Sequence, residues 1–174
     1  MTAPGVLRFS AFDVTRQVFY QSKLSFAIVN LKPIVDNHVL VIPRRLAPRM
    51  SDLSAEEVSD LFQSVQTIGK TIEKATNAKS LTIACQDGPY AGQSVPHVHI
   101  HILPRHPQDF DPIDGIYDKL DSVDIQEDFE AMKARAKLPK DKMKLDSERQ
   151  SRSQEDMEKE ATWLASLFKN SISQ

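Results

Sequence analysis

His97, His99 and His101 occupy every second position of HVHIHILPR (97–105), so three of the chain's five histidines lie in one short segment. On an extended strand successive side chains point to opposite faces. The three imidazoles therefore share one face, and Val98, Ile100 and Ile102 share the other. The apolar set belongs to a core, and the imidazole row belongs to a surface or a cleft. A neutral imidazole nitrogen is a competent nucleophile near pH 7, because its ordinary pKa is about 6.5. It can attack phosphorus and form an N–P intermediate that water then cleaves. Such chemistry needs one ring at the phosphate, a neighbour that fixes its tautomer, and a proton donor near the leaving oxygen. His99, flanked on both sides, is the best-placed nucleophile.

Two other readings of the row are weaker. Unrelated surface histidines do not account for strict alternation beside a glycine-containing loop. A His-x-His pair on a strand can chelate zinc or iron. At a rise of about 3.3 Å per residue, however, His97 and His101 lie roughly 13 Å apart at their backbones, too far for all three rings to meet one ion. The downstream candidates His106 and Asp109 fall where no regular strand continues, so no dedicated metal site is expected. The preceding loop, DGPYAGQSVP (87–96), suits phosphate instead. Gly88 and Gly92, with Gln93 and Ser94, let backbone N–H groups and a hydroxyl approach phosphate oxygens.

These residues need a sheet to carry them. TRQVFYQS (15–22), LSFAIVN (24–30), HVLVIP (38–43), SLTIACQ (80–86) and residues 97–103 read as strands, rich in β-branched and aromatic types. LKPIVDN (31–37) is a connection, marked by Pro33, Asp36 and Asn37. A helix is predicted over 54–76. Ser54 and Glu57 form an S-x-x-E capping box, and Val58, Leu61, Phe62, Val65, Ile68 and Ile72 recur at helical spacing. Gly69 inside that stripe costs about 1 kcal/mol against alanine and points to a close helix–sheet approach. The organisation expected is a core over 1–120, a charged, solvated and mobile loop over 121–153, and a segment 154–174 whose amphipathic helix docks on the core.

Composition narrows the function classes. A net charge of −2 gives no general attraction to nucleic acid or anionic lipid. No apolar run reaches the roughly 18 residues that would span a bilayer, and the first thirty residues lack the charged start, continuous apolar segment and small-residue cleavage site of a signal peptide. A cytoplasmic location, extending to the nucleus, is expected. With one cysteine an intrachain disulfide is impossible, and Cys85, in an apolar run, reads as a packed small residue rather than a reactive thiol.

HVHIHI fits the pattern of histidines alternating with apolar residues, and the chain resembles the fragile histidine triad branch of the histidine triad superfamily. The likeness covers roughly residues 8–120 and the helix near 154–169. It runs through QDGPYAGQSVPHVHIHILPR (86–105), LSFAIVNLKPIVDNHVLVIPRR (24–45), DLSAEEVSDLFQSVQTIGKTIEK (52–74) and GIYDKL (115–120). It implies an α+β fold, a curved antiparallel sheet with one long packed helix and a C-terminal helix, usually as a symmetric homodimer. The activity implied is hydrolysis of diadenosine polyphosphates such as Ap3A or Ap4A to AMP plus ADP or ATP. Under the same resemblance His99 is the nucleophile that becomes nucleotidylated and His101 contacts the phosphates at the scissile bridge. His97 and His38 orient the catalytic ring. Asn30 and Gln86 contact substrate, Gly92, Gln93, Ser94 and Val95 form the phosphate loop, and Phe9, Ile28 and Leu40 wall the adenine pocket. Magnesium or manganese arrives with the polyphosphate. Transferase relatives carry glutamine at the third histidine, so His101 favours hydrolysis. The branch's substrate-contacting histidine near residue 12 has no counterpart; Phe12 is nearest. Tyr117 matches a tyrosine that is phosphorylated in some relatives. A nucleotide-bound signalling protein and a nucleoside phosphoramidase remain alternatives.

Overall fold

The structure, a computed structural model, describes residues 5–107, 109–121 and 151–169. The charged stretch expected as a loop over 121–153 therefore lies almost wholly outside the described residues. A short hairpin, β1 (Arg8–Phe9) and β2 (Phe12–Asp13), precedes the main sheet. That sheet comprises β3 (Val18–Gln21), β4 (Ser25–Val29), β5 (Val39–Pro43), β6 (Ser80–Ala84) and β7 (Ile100–Arg105). The strand order is β3-β4-β5-β7-β6 and every pairing is antiparallel. Between β5 and β6 runs α1 (Ala55–Thr76), and after β7 come α2 (Gly115–Asp121) and α3 (Gln154–Lys169).

β4 and β5 are buried along their whole length because both faces of the sheet are covered. Alternation then splits their residues into two cores. Ala27, Val29, Val39 and Val41 join Val98, Ile100 and Ile102 under Leu61, Val65, Ile68 and Ile72 of α1. Phe26, Ile28, Leu40 and Ile42 point the other way and pack with Phe9 and Val14. The apolar partners of the histidine row thus face the helix, and the imidazoles face the second layer. Ser54 and Glu57 make the capping box in full: Glu57 N–H donates to Ser54 Oγ (3.2 Å) and Ser54 N–H to Glu57 Oε2 (2.8 Å). A Cβ on Gly69 would lie 2.8 Å from Leu81 Cδ1, which is the close helix–sheet approach its position suggested. Helix α3 adds Met157, Ala161 and Leu164, spaced at helical intervals, to the α1 side of the core. Its Phe168 ring packs 5.1 Å from that of Tyr20, and Arg16 pairs with Glu158 at 3.1 Å.

Four local expectations differ from what is found. Residues 15–17 form a 3-10 turn instead of opening a strand, because Asp13 Oδ1 accepts from both the N–H and the hydroxyl of Thr15 (3.0 and 2.7 Å). The last strand runs 100–105 instead of 97–103. His97 N–H donates to the Val95 carbonyl and Val98 N–H to the Ala47 carbonyl, so the ladder begins only at Ile100. Helix α2 was not anticipated; Ile116 and Leu120 seat it on Leu103. Cys85 is exposed, one residue beyond edge strand β6, where no neighbouring strand covers it. Its thiol is still a poor nucleophile, with a pKa pushed up to about 11 by partial desolvation and then by the Asp87 carboxylate.

Candidate active site

Four imidazoles are buried together: His38, His97, His99 and His101 are each at most 3% exposed. The register places Leu40 of β5 opposite His101, which brings His38, two residues before Leu40, beside the row. Burying four ionisable rings requires that each find hydrogen bonds in its neutral form. Backbone groups provide them and fix where each proton sits. Ser10 N–H donates to His97 Nδ1 (3.1 Å), so the His97 proton is on Nε2, which donates to the Pro43 carbonyl (2.8 Å). His99 Nδ1 faces the His97 carbonyl at 2.8 Å and must donate to it, which leaves the lone pair of His99 on Nε2. Ile34 N–H donates to His38 Nδ1 (3.2 Å), and His38 Nε2–H in turn donates to His101 Nδ1 (2.9 Å). Neutral His101 therefore carries its proton on Nε2. One ring ends as a base and its neighbour as a donor, with their centroids 5.0 Å apart.

Electrostatics favour the same pattern. Burial lowers the pKa of His99 to about 4, with the nearby His97 ring adding to the effect and the bond to the His97 carbonyl opposing it. Burial likewise lowers that of His97. The Phe9 and His99 rings meet at a steep angle of 78°, with centroids 5.1 Å apart.

His99 and His101 line a cleft of about 290 Å³. The cleft also gathers Phe9, Ile28, Leu40, Asn30, Ser94 and Val95 from the sequence reading. Phe12, the residue nearest the branch's substrate-contacting histidine, lines it too, and Asp13, Val14, Gln17 and Leu31, which were not foreseen as site residues, complete it. The cue for that wall is the Asp13–Thr15 pair, an Asx-type turn signal lying inside what reads as a strand. Asn30 braces the relay: its Oδ1 accepts from Lys32 N–H (3.0 Å) and its Nδ2 lies 3.3 and 3.4 Å from the His38 ring nitrogens.

His38, His97, Gln86, Gly92 and Gln93 do not line the cleft: the first three and Gln93 are buried around it, and Gly92 is exposed on the loop. Gln93 Oε1 accepts from Gly88 N–H (3.0 Å) and its Nε2 donates to the Pro48 carbonyl (2.8 Å), stapling the glycine-containing loop to the segment before α1. Asp87 makes a second staple, accepting from Met50 N–H (2.8 Å) and from Arg49 (3.1 Å). Gln86 donates to the Leu120 carbonyl (3.3 Å), and a Cβ on Gly92 would fall 2.6 Å from its amide nitrogen. Among the described residues no group of three or more histidine, cysteine or acidic side chains could hold a metal ion.

The chain is similar to known proteins. The profile of the HIT domain matches residues 11–108. The chain is 50% identical over 153 residues to the bifunctional bis(5'-adenosyl)-triphosphatase/adenylylsulfatase FHIT of Arabidopsis thaliana, covering 88% of this chain and 78% of that protein. It is 43% identical over 179 residues to the asymmetrical bis(5'-nucleosyl)-tetraphosphatase of Schizosaccharomyces pombe, covering 95% and 96%. Among solved structures, Plasmodium falciparum diadenosine triphosphate hydrolase in complex with Cyclomarin A superposes with a TM-score of 0.72 at 26% identity, over 99% of this chain and 90% of that one. The Caenorhabditis elegans NitFhit protein gives 0.70 at 36% identity over 96% of this chain, which spans 31% of the larger protein.

Proposed function

The chain belongs to the HIT domain family, and from that premise we propose that it hydrolyses dinucleoside polyphosphates through a nucleotidyl-His99 intermediate. The observation that carries this reading is the proton pattern at the cleft. His99 presents an unprotonated Nε2 beside a His101 ring that holds its proton on Nε2. His99 Nε2 attacks the α-phosphorus, the bridging P–O bond breaks, and the nucleotide leaves as a phosphate anion whose departing oxygen accepts a hydrogen bond from His101 Nε2–H. Water then attacks the phosphorus, the N–P bond breaks and returns its electron pair to His99 Nε2, and the water's proton leaves to solvent as AMP is released. For Ap3A the products are AMP and ADP; for Ap4A they are AMP and ATP.

Phe9, Ile28 and Leu40 enclose the adenine, Ser94 and Val95 face the phosphates, and Gly92 and Gln93 hold their loop in place. Magnesium or manganese enters with the polyphosphate as part of the substrate. No helix among the described residues is long and apolar enough to cross a membrane; a cytoplasmic location, extending to the nucleus, is part of the proposal. A homodimer is part of the proposal. β6 lies at the sheet edge with Ile83 49% exposed, a strand edge suited to pairing with a second copy.

Product analysis tests the reading. Ap3A, Ap4A and an adenosine phosphoramidate are supplied side by side, with and without magnesium. AMP with ADP or ATP as the dominant products supports it. Faster turnover of the phosphoramidate would favour the amine-releasing alternative, and binding without turnover would favour the signalling one.

A further inference from the structure

We infer that Tyr90 is a stacking platform for the second nucleoside, the one that leaves with the departing phosphates. This rests on the hydrolase reading above and adds a subsite to it. A cleft of about 290 Å³ lies at the small end of the roughly 300–1,000 Å³ typical of ligand pockets. A cleft of that size suits one nucleoside, which leaves the other half of a dinucleotide to extend beyond the reacting phosphates.

On the loop side the cleft wall is Ser94 and Val95, and the chain preceding them leads to the tip of a 3-10 turn, Pro89–Ala91. Tyr90 stands at that tip, 86% exposed, and makes no hydrogen bond or ring contact among the described residues. It stands four positions before Ser94, so their Cα atoms are at most roughly 14 Å apart. The backbone beneath it is fixed. Ala91 N–H and Gln93 N–H both donate to the Gly88 carbonyl (3.0 and 3.1 Å), and Gly92 N–H donates to that of Pro89 (3.2 Å). Gly88 and Gly92, at φ +102° and +86°, close the turn on either side. A phenol ring held out from an ordered turn offers a flat face to any nucleobase, and stacking tolerates all of them.

The test compares kcat/KM on diadenosine triphosphate with kcat/KM on adenosine triphosphate methylated at its terminal phosphate, which lacks the second base. In Tyr90→Ala the ratio of the two falls about fivefold or more, and in Tyr90→Phe, which keeps the ring, it stays within about twofold of wild type. An unchanged ratio in Tyr90→Ala overturns the inference alone, as does an equal loss in Tyr90→Phe, which would assign the effect to the hydroxyl. Wild-type protein that cleaves neither substrate overturns the hydrolase reading and this subsite with it.

Discussion

Two backbone N–H groups, of Ser10 and Ile34, and one carbonyl, of His97, fix the tautomers of four buried imidazoles. The alternation of His97, His99 and His101 was legible in the sequence because period two is a property of the strand itself. The direction of each proton was not, since Ser10 and Ile34 come from loops whose approach depends on tertiary packing. Kinetic consequences belong at this scale. His99→Asn lowers kcat by about 10⁴-fold or more, because no other group supplies the nucleophile. His101→Asn costs less, about 10²- to 10³-fold, the range for losing a hydrogen-bond donor to the departing oxygen. Steady-state rates on Ap3A measure both.

The pH dependence follows from burial of the nucleophile. His99 titrates near 4 when folded and near 6.5 when unfolded. Its contribution to stability is therefore fully present above pH 6.5 and is lost as the pH falls toward 4, where the unfolded chain has gained a proton that the native ring refuses. The acid limb of kcat/KM attributable to His99 lies near pH 4, well below that of an exposed histidine. A pH–rate profile from 3.5 to 8 with parallel thermal melts checks both.

At the scale of elements, α1 and the strands β4 and β5 could be read from the chain, since a capping box and continuous apolar runs are local signals. The 3-10 turn at Thr15–Gln17 was hidden because its composition is strand-like while Asp13 holds the backbone in another shape. Of the residues inferred to contact substrate, Gln86 and Gln93 are found holding the loop frame, a placement that depends on contacts with the distant Leu120 and Pro48. The loop also carries a prediction. Gly92 sits at φ +86° with the Gln86 amide against the space a Cβ would fill. Gly92→Ala costs about 1–2 kcal/mol for the left-handed backbone and lowers kcat/KM by displacing Ser94. Urea unfolding and initial rates, taken on the same preparation, report the two effects separately.

Across the whole molecule, α3 illustrates what one sequence cannot say. Its amphipathic spacing and its docking on the core were legible, but that Met157, Ala161 and Leu164 join the face of the sheet covered by α1 emerges only from the fold. Association belongs at this scale too. Light scattering should give twice the mass of the 19.6 kDa chain. Ile83→Lys, placing a charge on the exposed edge of β6, should shift that mass toward the monomer.

The most direct test of the covalent mechanism is mass spectrometry of a reaction with Ap3A quenched within a single turnover. The account predicts an adenylyl group on the peptide containing His99, formed before AMP appears and absent in His99→Asn. A full burst of products with no adduct on that peptide, or an adduct that persists in the variant, would contradict it.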